Sequence, residues 1–344
     1  MPVYSDYLSD PRYSVRNMTE AITNVPTMYD LLTRMGLFPD IGIRTTYVEV
    51  EMKKGTLNIV PTSQRGAPAP YQDRNRRELR IFKTLFQQLN DKIVPSDLQN
   101  LPAFGDPMGF EMFDQLLAER MQRLAAVYRQ THEFMKWGAL DGDVVDADGT
   151  TVLYNSYTEM GETKASFDFK FGTTAQPGPT DAAMEARRYL ERNLLGETMS
   201  GVLWLCNSDF MDNIRHHPAY SKIWEQQQAQ PNPIIEGFEA IRVGGNLFVE
   251  HNGTASYVDA NGTATTHDFI TTNEAIGVPL GTTQTFRSYF APAEMMSAVN
   301  LPGQAMYMSM KELDHDGGIE IHTQSAPLFL VQKPRLVLRG YSSN

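Results

Sequence analysis

Only one cysteine, Cys206, occurs in the 344 residues, which excludes an intramolecular disulfide and a cysteine-rich zinc site. A reducing compartment suits such a chain. No stretch approaches the ~20 apolar residues that a bilayer crossing requires. Residues 1–10 also lack the basic-then-apolar order of a secretory leader. A soluble protein made in a cytoplasm, with no membrane partner, is therefore expected. Nucleotide-binding glycine loops are missing: there is no GxxxxGK[ST] and no GxGxxG after a strand. There is no GxSxG elbow, and Cys206 is boxed in by Val202, Leu203, Trp204 and Leu205, so covalent nucleophilic catalysis has no candidate. Positive charge is also scarce. With 30 Lys and Arg against 41 Asp and Glu, the net charge is -11, and phosphate backbones repel such a chain.

What remains is ample material for a folded body. Hydrophobic residues make up 41% and charged residues 21%, which argues against disorder or a coiled coil. The length suits two or three sub-domains better than one core. Residues 1–26 are polar and aperiodic and read as an arm that orders only against something else. Thr27 can cap a short helix over 28–35, which Gly36 ends.

From Thr45 the pattern becomes extended. Tyr47, Val48, Glu49, Val50, Glu51 and Met52 alternate as a strand, and 78–83 forms a second extended run leading back to 91–95. Between them lies a proline-rich stretch, 61–70, that neither helix nor central strand accepts. The spacing of Leu79, Phe82, Leu85 and Phe86 also permits a turn and a half of helix. So few core candidates in about 50 residues suggest a two-stranded tongue reaching toward a neighbour; a disordered surface insertion is the plainer alternative.

The strongest helix spans about 108–137, with Phe113, Leu117, Met121, Leu124, Tyr128, Thr131 and Met135 on one stripe, widened by Leu116, Val127 and Phe134. A polar flank of Glu111, Gln115, Glu119, Gln122, Arg129, Glu133 and Lys136 is expected to face water, and Gly138 to stop the helix. Asp148-Gly149 marks a hairpin turn between 143–145 and 151–154. A helix over 181–195, a buried strand over 200–206, a helix over 209–215 and many short strands follow, ending with 327–331 and 335–338. The mixture is α+β.

Few residues offer chemistry. Asp314, His315 and Asp316 with Glu320 and His322 form the densest polar group, and His315, Glu320 and His322 have the residue types of a two-histidine, one-carboxylate metal face. Gly317-Gly318 between them reads more naturally as a turn. His251, His267, His216 and His217 read as surface or capping residues. Asp141, Asp143, Asp146 and Asp148 fail the calcium-loop pattern because Asp146 stands where glycine is needed. No cofactor is expected. The one positive cluster, Arg74, Arg76, Arg77, Arg80 and Lys83, could meet nucleic acid, but in so acidic a chain it is expected instead to pair with a carboxylate-rich face of a neighbouring subunit.

Three segments together resemble the lambda-type major head proteins of tailed phages, the major capsid protein E family. They are the tongue with its return (65–68, 80–83, 91–100 and 104–105), the long helix running into the 140–154 hairpin, and the C-terminal phrase 323–331. The resemblance implies the Hong Kong 97-type capsid fold. On that fold 1–44 is an N-terminal arm and 45–85 an extended loop. A peripheral domain covers 86–197 with its spine helix at 108–137, an axial domain covers 198–312, and 313–344 returns to the peripheral domain. The implied function is a major capsid protein that self-assembles into pentamers and hexamers of an icosahedral shell around double-stranded DNA, without sequence-specific DNA contacts. Scaffold, portal and decoration proteins are the implied partners, with assembly in the host cytoplasm and residence in the virion. Arg65, Gly66, Pro68, Pro70, Arg74, Arg76, Arg77, Arg80 and Lys83 are the expected subunit-interface residues. Two rival readings are an encapsulin-like nanocompartment shell and a metal-dependent enzyme using His315, Glu320 and His322.

Overall fold

The computed structural model describes residues 30–54, 76–98, 107–172, 178–194, 196–218, 220, 234–235, 238–258 and 264–343, with Val15 and Thr19 ahead of them. The expected arm over 1–26, apart from those two residues, and the proline-rich stretch 61–70 lie outside the described residues.

An uninterrupted apolar run suits a strand covered on both faces, and Gly201–Cys206 is buried along nearly its whole length. Val202, Trp204 and Cys206 enter one core, and Leu203 and Leu205 the other. The strand lies inside a seven-stranded mixed sheet, antiparallel to Ala275–Leu280 and parallel to Asn246–Glu250. Helices Pro179–Asn193 and Ser208–His216 cover one face through Ala183, Ala186, Leu190, Phe210 and Met211. The second helix starts where Asn207 accepts a hydrogen bond from Asp209 N at 2.9 Å, a side-chain cap for an otherwise orphaned N–H.

The long helix runs from Pro107 to Asp141, 35 residues, or roughly 52 Å at 1.5 Å per residue. From residue 114 to about 131 it is amphipathic, as the stripe predicts. Leu117, Leu124, Ala125 and Tyr128 pack on a three-stranded antiparallel sheet of Gln87–Ile93, Ile319–Ser325 and Tyr307–Glu312. Val127 belongs to the expected stripe but is 44% exposed. From His132 onward the helix enters the body and is buried nearly all round. The polar flank therefore does not stay in water: Glu133 is 0% and Lys136 3% exposed.

The helix also passes Gly138 instead of ending there. A Cβ at Gly138 would lie 2.8 Å from Asp143 O and 3.2 Å from Val144 Cα, so this glycine admits the next strand against the helix. Termination falls to Gly142, at φ +117, whose N–H bonds Gly138 O at 2.8 Å. Glycine tolerates that dihedral without strain.

The ambiguous stretch around Leu79 to Phe86 is two strands, Arg76–Lys83 and Gln87–Ile93, with a break between them. Leu85 N is taken by Pro327 O at 2.9 Å, and Phe86 is 48% exposed. Near the C-terminus, Pro327–Val331 is fully buried and pairs with Phe286–Phe290, which pairs in turn with Asp40–Gly42. The expected strand over 335–338 is instead a 3-10 turn, Pro334–Leu336, followed by strand Leu338–Tyr341. Proline cannot donate to a ladder, which shifts the strand downstream.

Gly138→Ala separates two effects of opposite sign. Alanine favours a helix interior by up to about 1 kcal/mol, whereas overpacking costs about 1–3 kcal/mol. The close approach predicts a lower thermal midpoint; a raised midpoint in a calorimetric scan would contradict it.

Candidate assembly interface

Strands Tyr47–Lys54 and Arg76–Lys83 form an antiparallel hairpin with Val48 opposite Phe82, Val50 opposite Arg80, and Lys53 and Lys54 opposite Arg77 and Arg76. Alternation along a strand separates two faces. Val48, Val50 and Phe82 turn inward onto Met160, Leu328 and Leu330. On the other face Tyr47, Leu79 and Ile81 are 44%, 56% and 61% exposed. Single exposed apolar residues are ordinary, but a run of them on one face marks a contact surface. The base is tied by Thr84 N to Thr46 O at 3.0 Å.

Arg65, Gly66, Pro68, Pro70 and Arg74 lie outside the described residues. Arg76 and Arg77 open the return strand. Arg80 sits half-buried in register with the inward Val50, while Lys83 is exposed at the base opposite Tyr47.

What holds the chain leading into this hairpin is a buried polar junction that sequence periodicity places in water. Glu133 Oε1 accepts from Leu32 N at 2.7 Å and Oε2 from Thr33 Oγ1 at 3.1 Å. It thereby satisfies an early N–H of the turn Leu31–Arg34. Lys136 Nζ donates to Thr33 Oγ1 at 2.6 Å and lies 5.4 Å from the centre of the Phe329 ring. Burial pushes the Glu133 carboxyl up and the Lys136 ammonium down, and each charge opposes the shift of the other. One turn earlier, His132 Nε2 meets Ser325 Oγ at 3.0 Å, and burial holds this ring down at about 3.

The histidine and carboxylate group does not assemble as a metal face. His315 lies on the 3-10 turn Asp314–Asp316 with φ +61. His322 Nδ1 is engaged by Asn90 Oδ1 and its Nε2 by Gln324 Nε2 at 2.7 Å, and Glu320 accepts from Asn90 at 3.5 Å. Among the described residues no group of three His, Cys, Asp or Glu could hold a metal. His251 is not a surface residue either. Its ring stacks on Trp137 at 5.0 Å and on Phe269 at 5.9 Å, and burial lowers it to about 4. His217 takes the capping role expected of it, closing the helix Ser208–His216 with its N–H on Ile214 O at 3.2 Å, and its side chain is buried. Asp148 takes the turn role expected of it, accepting from Thr150 N and Thr151 N at 2.9 Å. Cys206 is fully buried and burial pushes its thiol up.

Comparison with known proteins agrees with this arrangement. The family model described as phage major capsid protein E matches residues 14–342. The major capsid protein of Pseudomonas phage KPP10 is 25% identical, over 95% of this chain and 96% of its own length. That of Salmonella phage Felix O1 is 22% identical, over 95% of each. Among solved structures, a prophage protein of E. coli CFT073 superposes with a TM-score of 0.61 at 14% identity, covering 96% of this chain and 99% of its own. The mature capsid of bacteriophage PhiM1 superposes at 0.51 with 10% identity, covering 93% and 89%. The shared fold is the Hong Kong 97-type capsid fold.

Two expected outcomes test the junction. Glu133→Ala removes the acceptor of Leu32 N and Thr33 Oγ1 together with the largest of the three negative charges, Glu133, Asp40 and Asp30, that act on the buried Lys136; it should cost about 3–5 kcal/mol in denaturant unfolding, and a loss under about 1 kcal/mol would contradict that role. For the rings, the folded values of His132 and His251, about 3 and 4, lie below the unfolded 6.5. Their neutral forms therefore support the fold fully above about pH 6.5, and that support is lost as pH falls toward the folded values. Stability should drop by up to about 1.4 kcal/mol per pH unit per ring. A His132→Gln, His251→Gln double variant should show a shallower slope between pH 6.5 and 4.5; an unchanged slope would refute the assignment.

Proposed function

The chain belongs to the phage major capsid protein E family, and on that premise we propose how its parts build a shell. It is the major capsid protein of a tailed phage, and its copies self-assemble into an icosahedral capsid. In our reading residues 1–44 serve as the arm and 45–85 as the extended loop. Residues 86–197 form the peripheral domain around the long helix, 198–312 the axial domain, and 313–344 the return to the periphery. Each copy lays its hairpin on the next around a ring, a head-to-tail contact that closes into pentamers and hexamers. Arg65, Gly66, Pro68, Pro70, Arg74, Arg76, Arg77 and Lys83 lie along that contact, with Arg80 behind them on the inward face beside Val50.

The observation that supports this reading best is the split between the faces of the hairpin. The inward face is spent on its own subunit, and the outward one leaves Tyr47, Leu79 and Ile81 in solvent. Covering an aliphatic side chain of this size contributes about 1.5–3 kcal/mol, which offsets part of the cost of ordering a loop on a neighbour. The net charge of -11 suits a lining that encloses DNA without gripping it. Scaffold, portal and decoration proteins act as further partners, assembly takes place in the host cytoplasm, the finished protein resides in the virion, and no catalysis is assigned to it. The family match favours a phage shell over a nanocompartment shell.

A Leu79→Asp, Ile81→Asp variant should keep the wild-type circular dichroism spectrum and thermal midpoint yet form no shells in negative-stain microscopy. A chain lacking residues 61–76 should behave likewise. Closed particles from either variant would refute the hairpin assignment.

A further inference from the structure

A cleft of about 210 Å³ opens where the end of the long helix meets the hairpin Asp143–Asn155 and the segment 267–276. Aromatic rings of Phe134, Trp137 and Phe269 line it, and Asp141, Asp143, Asp268 and Glu274 stand on its walls. Lys164 neutralises Asp141 at 2.5 Å and Arg339 neutralises Glu274. Among the described residues no cation pairs with Asp143 or Asp268, although Asn155 donates to Asp143. A ligand for this cleft must therefore present a cation, with an apolar or planar body for the rings. A peptide segment carrying arginine or lysine has both, since guanidinium planes stack on aromatic faces.

The same chain carries such a segment. The two strands of the extended hairpin hold six basic and three acidic residues, a net +3 within a chain of -11. At the outer end the register sets Lys53 opposite Arg77 and Lys54 opposite Arg76. Like charges directly opposite are destabilising, so this end gains from external carboxylates.

We propose that the cleft of one copy receives the basic outer end of the hairpin of a second copy, Asp143 and Asp268 pairing with the cations at 53, 54, 76 and 77 while their stems pack on the rings of Phe134, Trp137 and Phe269. The proposal rests on the reading that the hairpin docks on another copy, and it names where. Asp143 and Asp268 are wall residues of the cleft and belong to no core cluster, so their charge can be reversed without emptying a core.

Because every copy supplies both a cleft and a hairpin, charge reversal can be rescued within one chain. Asp143→Lys with Asp268→Lys, and separately Arg76→Glu with Arg77→Glu, should each lower the yield of particles at least about tenfold at low ionic strength, where like-charge contacts cost most. All four substitutions together should restore it. In wild-type particles, a water-soluble carbodiimide should join the carboxylates of Asp143 or Asp268 to the amine of Lys53 or Lys54. Particles assembled from mixed isotope-labelled and unlabelled chains should yield mixed-label peptides from that crosslink. The crosslink also decides the matter should a charge-reversed chain misfold. If the hairpin reversal abolishes particles while the cleft reversal leaves yield unchanged, or if no such crosslink forms, the cleft assignment is wrong and the docking reading stands. If neither reversal matters and the Leu79→Asp, Ile81→Asp chain also closes shells, the docking reading itself fails.

Discussion

The architecture hangs on one buried junction: the Glu133 carboxylate bridging Leu32 N and Thr33 Oγ1, with Lys136 on the same threonine hydroxyl. It ties the segment ahead of the hairpin to a helix a hundred residues later in the chain. Burying a carboxylate and an ammonium is costly, and removing either takes away the largest opposing charge on the other. The junction therefore acts less as a source of net stability than as a register pin. It sets where the chain starts along the helix, hence where Asp40–Gly42 joins Phe286–Phe290 and where the hairpin leaves the body. The long helix carries this junction at one end and a three-stranded sheet at the other, so one rigid element positions both the body and its projecting loop.

Much of this was legible from residues alone, and the exceptions share a cause. Local patterns read correctly where local physics decides them. The strand over Tyr47–Lys54, the buried strand ending at Cys206 and Gly149 in a turn (φ +68) all appear as expected. The misreadings arise where a distant segment changes the environment. Glu133 and Lys136 fall on a polar flank by period, but the turn Leu31–Arg34 and the strand carrying Phe329 cover them. Gly138 looks like a helix stop, yet its missing Cβ serves a neighbour, Asp143. His251 looks isolated because Trp137 and Phe269, which enclose it, lie far away in sequence. No pattern within a short window encodes such contacts.

The candidate interface divides in the same way. The basic run and the extended character of the hairpin were readable, whereas the exposed apolar face needed the register to appear. Leu79 and Ile81 alternate with Arg80 and Phe82, and only the docking of Phe82 onto Leu328 and Leu330 shows which set faces out. The polar group at 314–322 illustrates the opposite lesson. Residue types suited to a metal are consumed by sheet amides, with His322 held between Asn90 and Gln324. Function in this chain accordingly concentrates on surfaces that meet other copies.

The central claim is that the outward face of the hairpin is an interface between copies, and a cryo-electron microscopy map of shells assembled from the purified chain tests it most directly. The account predicts density of a second copy within van der Waals contact of Leu79 and Ile81 at every quasi-equivalent position. A closed shell in which those two side chains face solvent would contradict it.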